Sequence, residues 1–129
     1  MNEWHQLNIY VGEANHWKQQ SLHAVLVETA HAHGLAGATV TREIAGFGEK
    51  ARIRTTNTLA SSTDLPVVVT IVDQAEMIAQ FIPVVQSIVQ TGLITLQPVS
   101  VIEPAINSKQ TSSNRPKFSF FSWNNRFGS

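Results

Sequence analysis

The 129-residue chain has no cysteine. That excludes a disulfide framework, a thiolate metal site and a thiol nucleophile. It also lacks long apolar runs, and nothing approaches the roughly 20 residues that span a bilayer as a helix. The opening Met1-Asn2-Glu3-Trp4-His5 has none of the basic-then-apolar layout of a secretory leader, so the expected location is the cytoplasm. Catalytic signatures are missing as well: there is no Gly-x-Ser-x-Gly, Walker A or Gly-x-Gly-x-x-Gly sequence. The histidines (His5, His16, His23, His31 and His33) form no His-x-x-x-His pair, the spacing that stacks two ligands on one helix face. No catalytic residue and no metal ligand set is therefore expected, and the chain reads as a non-enzyme.

Acid is absent from one region only. Residues 104–129 hold four bases (Lys109, Arg115, Lys117, Arg126) and no acid, a balance of +4. Residues 1–103 hold nine acids against five bases, a balance of −4. The zero net charge thus conceals two different polymers, a body over 1–103 and a tail over 104–129.

The body shows alternating and helical periods in turn. Leu7 to Val11 alternates with period two, which predicts a first strand. Leu22, Val25, Leu26, Thr29, Ala30 and His33 mark one face of a helix, and Gly34 sits where a left-handed residue would end it. A second strand is predicted from Ala38 through Ile44 to Gly46. A third, Val67 to Val72, is apolar on both faces and so expects cover on both. Asp73, with Glu76 three residues later, predicts an N-cap. Ile78, Phe81, Ile82, Val85, Ile88 and Val89 form the stripe of a second helix, in which Pro83 predicts a bend. Gly92 ends that helix. Leu93 to Ile102 predicts a fourth strand, and Pro98 within it favours a sheet edge.

The order β-α-β, loop, β-α-β defines an α+β, ferredoxin-like βαββαβ fold, with a four-stranded antiparallel sheet and two helices on one face. Two helices cover one face of such a sheet. The second apolar face of the third strand then calls for a lid from another subunit, and a homo-oligomer is expected.

Between the halves, Gly46-Phe47-Gly48 launches a polar segment, Glu49 to Asp64, too long for an ordinary connection and therefore the functional suspect. Lys50, Arg52 and Arg54 recur at every second position. In extended chain they project to one side about 7 Å apart, a positive comb suited to phosphate or carboxylate groups. In the tail, Phe118, Phe120, Phe121, Trp123 and Phe127 are half of the aromatics, interleaved with bases. Such a segment suits single-stranded nucleic acid, an anionic membrane surface, a slot on a partner protein, or docking on this chain itself. The acidic body argues against nucleic acid.

Several of these stretches together, Leu7-x-Ile9-Tyr10-Val11-Gly12-Glu13, Gly34-Leu35-Ala36-Gly37-Ala38-Thr39-Val40, Gly46-Phe47-Gly48, Asp64-Leu65-Pro66-Val67-Val68-Val69 and Ile71-Val72-Asp73, resemble the PII-like family of domain of unknown function 190. The resemblance covers about residues 5–103 and leaves out the tail. That family is similar to GlnB-type PII signalling proteins. The resemblance implies a PII-like trimer with effector clefts between subunits, a flexible T-loop after Gly46-Phe47-Gly48, and an adenine nucleotide as candidate effector. It also implies a regulated partner such as a membrane transporter. Two positions depart from PII proteins. The turn Gln90-Thr91-Gly92-Leu93 lacks their second glycine and lysine, and Glu49 stands where they place an arginine. The loop has no tyrosine to be uridylylated.

The leading expectation is a PII-like regulator that binds a small anionic effector through Gly46, Phe47, Gly48, Lys50, Arg52 and Arg54, and controls a partner through residues 49–64. One alternative is an interaction adaptor working through Phe118, Phe120, Phe121 and Trp123. Another is a metal-binding trimer of the divalent-cation-tolerance type, with histidines at subunit boundaries.

Overall fold

A computed structural model describes residues 3–47, 54–55 and 65–103. In chain order the elements are β1 (Trp4–Gly12), β2 (His16–Trp17), β3 (Gln20–Ser21), α1 (Leu22–Ala32), β4 (Ala38–Arg42), β5 (Ala45–Gly46), β6 (Arg54–Thr55), β7 (Pro66–Gln74), α2 (Ala75–Ile88) and β8 (Leu93–Val99). The four long strands form one antiparallel sheet in the order β4-β7-β1-β8. Two βαβ halves interleave in this order, and the fold is ferredoxin-like.

Register decides which residues meet the helices. Leu7 lies opposite Ile71, Ile9 opposite Val69 and Val11 opposite Val67. All six are buried, with Leu22, Leu26 and Ala30 of α1 and Ile78, Phe81 and Val85 of α2. Each Val, Leu, Ile or Phe among them contributes about 1.5–3 kcal/mol by leaving water. The other sheet face is mixed rather than apolar. Val68 is buried and Val72 half-buried, but β1 sets Gln6 and Asn8 beside them. There Thr70 Oγ1 donates to Asn8 Oδ1 at 2.8 Å, and Gln6 Nε2 donates to the same oxygen at 3.4 Å.

The first helix ends as its sequence predicts. Gly34 has φ +80°, its N–H bonds the His31 carbonyl, and the Leu35 N–H bonds Ala30, the two bonds of a Schellman ending. His33 leaves the buried stripe. It is the C-cap, exposed, with its ring edge-on to Phe81 at 5.5 Å. The second helix begins later than its sequence signature. β7 runs on to Gln74, which is the N-cap, and Asp73 is a fully buried strand residue. Its carboxylate accepts the Ala36 N–H at 2.9 Å and the Gln74 N–H at 2.6 Å. Asp73 thereby ties the turn before β4 to the end of the central strand. Helix α2 continues through Pro83 without interruption.

Two strands are shorter than their alternation predicts. β4 stops at Arg42. The Glu43 N–H still bonds the Pro66 carbonyl in register (2.9 Å), but Pro66 has no N–H to return, and Ile44 beyond it is 75% exposed. β8 stops at Val99, where pairing with β1 ends at Trp4. It is an edge strand, as Pro98 requires. Among the described residues, no helix is long and apolar enough to cross a membrane.

Candidate functional site

The antiparallel register gathers several connections at one end of the sheet. Gly12 lies opposite Pro66, Arg42 opposite Val67 and Tyr10 opposite Leu93. The long loop, the β1–α1 connection and the α2–β8 turn therefore all leave from the same end. Leu65 and Pro66 hold it together. The Leu65 carbonyl accepts the Glu13 N–H at 2.7 Å, and the Pro66 carbonyl accepts the Glu43 N–H. Leu65 itself is buried and anchors the returning limb of the loop.

From this floor the loop leaves as a ribbon. β5 and β6 pair antiparallel, with Ala45 opposite Thr55 and Gly46 opposite Arg54. Arg54, the sixth residue of the Glu49–Asp64 segment, thus lies in a strand. Gly46 is needed for proximity. A Cβ at this position would lie 2.9 Å from Pro66 Cγ, inside van der Waals contact. Phe47 follows with 72% of its surface exposed. Of the expected effector residues, the structure brings together Gly46, Phe47 and the backbone of Arg54. Gly48, Lys50 and Arg52 lie outside the described residues, as do Phe118, Phe120, Phe121 and Trp123 of the tail.

Two further features of this end escaped the sequence reading. Arg42 Nε donates to Glu13 Oε1 at 3.1 Å across the mouth of the loop, with both side chains partly in water. A pair this exposed contributes only about 0–1 kcal/mol to stability. It does place a guanidinium three residues before the ribbon. The available signal was a base at the end of a strand leading into the loop, with an acid just past the preceding strand. The second feature is the β2–β3 hairpin, whose two turn residues, Lys18 (φ +50°) and Gln19 (φ +73°), both occupy the left-handed region. Its turn type favours Asn-Gly, so Lys-Gln gave no hairpin signal. Lys18 Nζ sits 5.3 Å over the Trp17 ring, a second cation at this end.

The α2–β8 turn is tight. Gly92 has φ +147°, and a Cβ there would lie 2.5 Å from the Tyr10 carbonyl oxygen. The turn carries no cation of its own. Among the described residues, no three His, Asp or Glu side chains gather as metal ligands.

The fold is one shared with PII-like proteins. The structure is similar to that of CPII, a nitrogen regulatory PII-like protein from Thiomonas intermedia K12 bound to ADP, AMP and bicarbonate. The TM-score is 0.52 at 14% identity, over 77% of this chain and 88% of that one. CPII bound to ADP and bicarbonate gives 0.50 at 16% identity over the same shares. At sequence level, residues 4–101 match DUF190, described as Uncharacterized ACR, COG1993. A UPF0166 protein of Aquifex aeolicus (strain VF5) is 38% identical over 96 residues, which is 74% of this chain and 90% of the relative. The chain belongs to the DUF190 family.

Proposed function

We propose that this protein is a cytoplasmic, non-enzymatic regulator of PII-like type. It assembles as a homotrimer, takes a small anionic effector in the clefts between subunits, and passes the signal to a partner protein through residues 49–64. The observation that carries this reading is the ribbon at the loop base. It starts on the Gly46–Pro66 contact, beside the Arg42–Glu13 pair, at the sheet end where the α2–β8 turn also arrives. An effector bound there touches both limbs of the loop, and so has different affinities for its two arrangements. That difference is the only means by which a ligand shifts such an equilibrium.

CPII, which shares the fold, carries ADP, AMP and bicarbonate, and these are the first effectors to try. Since the α2–β8 turn offers no lysine, the positive charge in this reading comes from Lys50, Arg52 and Arg54, with Arg42 and Lys18 as further cations at the same end. Residues 1–103 form the regulatory domain in this reading, and residues 104–129 are an appendage to it.

The test is thermal unfolding of the full chain with ADP, AMP, bicarbonate, copper or zinc. An effector at a hundred times its dissociation constant stabilises by about 2.7 kcal/mol, a readily measured rise in melting temperature. The expected result is a rise with at least one of the anions, lost in Arg52→Ala. No shift with any anion would remove the effector. A shift with copper or zinc alone would favour the cation-tolerance alternative.

A further inference from the structure

Away from the loop, α2 and the edge strand β8 enclose a groove of about 320 Å³. Ile78, Ala79, Ile82 and Leu96 form its apolar floor, with His5 and Glu76 at the rim. Leu96 is 47% exposed, high for a large apolar side chain facing helices. Glu76 is the acidic residue of its lining, and Glu3 pairs at 3.0 Å with the lining residue His5.

We infer that this groove is the seat of the chain's own tail, with Phe118–Trp123 inserting aromatic side chains over Leu96 and Ile82. Three observations carry this. The first is position: β8 ends at Val99, three residues and about 10 Å beyond Leu96, so the chain leaves the body beside the groove. The second is reach. The fourteen residues 104–117 separate the body from Phe118. As coil they span about 20 Å, and fully extended at most about 50 Å. The segment therefore returns to its own groove without strain, at an effective concentration that a separate partner would have to exceed. The third is charge. The tail carries four bases and no acid, with Arg115 and Lys117 just before the aromatics, and the groove is lined by Glu76, with Glu3 on its lining residue His5. This seat lies at the opposite end of β1 from the proposed effector site and is independent of that reading.

The absence of native cysteine allows a direct test in the full chain. Ala79→Cys with Ser122→Cys would join groove to tail, and Thr41→Cys with Ser122→Cys, on the far edge strand, is the distance control. Circular dichroism establishes that each variant is folded. On mild oxidation, the first pair is expected to close an intramolecular disulfide at least tenfold faster than the control. Glu3→Lys with Glu76→Lys is expected to slow it several-fold. Equal rates for the two pairs would overturn the inference. So would a disulfide formed mainly between chains, which would place a second copy's tail in the groove. As an independent measure, replacing Phe118, Phe120, Phe121 and Trp123 by Ser in the full chain is expected to raise hydrogen exchange of residues 93–99 several-fold. Unchanged exchange would again overturn it.

Discussion

Asp73 and Gly92 show how much rests on single residues in a sheet this small. Asp73 is fully buried and accepts two backbone N–H groups, from Ala36 and Gln74. Hydrogen bonds to a charged group contribute about 1.5–3 kcal/mol each, and a buried N–H left without an acceptor costs about 1–3. Loss of an ordinary N-cap costs about 1. Asp73→Ala is therefore expected to lower stability by about 3 kcal/mol or more, read from the urea midpoint, and a loss near 1 would restore the capping role. The sequence pattern of Asp73 with Glu76 does resemble a cap. It cannot show that the strand runs on through Asp73 to Gln74 and turns the carboxylate inward. At Gly92, a positive φ and a Cβ position 2.5 Å from the Tyr10 carbonyl act together. Gly92→Ala is expected to cost about 2–4 kcal/mol in the same assay. A change under about 0.5 would mean that the turn relaxes freely.

At the scale of elements, α2 carries its own test. Pro83 is exposed, lies inside the helix and leaves the Ala79 carbonyl without its helical donor. Pro83→Ala restores that bond at a solvent-facing position and is expected to raise stability by about 1–3 kcal/mol, seen as a higher melting temperature. A fall would show that the ring is needed for the packing of α2. Both long helices and all four long strands were legible because each has a face whose period is fixed by burial, as in Leu7, Ile9 and Val11 or Ile78, Phe81 and Val85. The β5–β6 ribbon was not legible. Two-residue strands such as Ala45–Gly46 and Arg54–Thr55 have no period to read, and their pairing follows from where Pro66 holds the chain. The β2–β3 hairpin was hidden for a different reason, since Lys18 and Gln19 take left-handed backbone that their identities do not advertise. Of the site, the Gly46-Phe47 launch point could be read locally, while the Arg42–Glu13 contact joins residues 29 apart and needs the sheet to form it.

At the scale of the whole molecule, the two faces of the sheet have different characters. One is closed by α1 and α2. The other combines buried Val68 and exposed Tyr10 and Leu93 with the Gln6–Asn8–Thr70 hydrogen bonds. A face of this mixed kind suits contact between copies of the same chain, where apolar residues exclude water and satisfied polar groups fix the register. The effector clefts of the proposed regulator exist only if such copies assemble. Sedimentation equilibrium of the full chain at micromolar concentration tests this most directly. The expected result is a single species of three times the 14.2 kDa chain mass. A species that stays at the mass of one chain across the concentration range would contradict it, because no seam between subunits would remain to hold an effector.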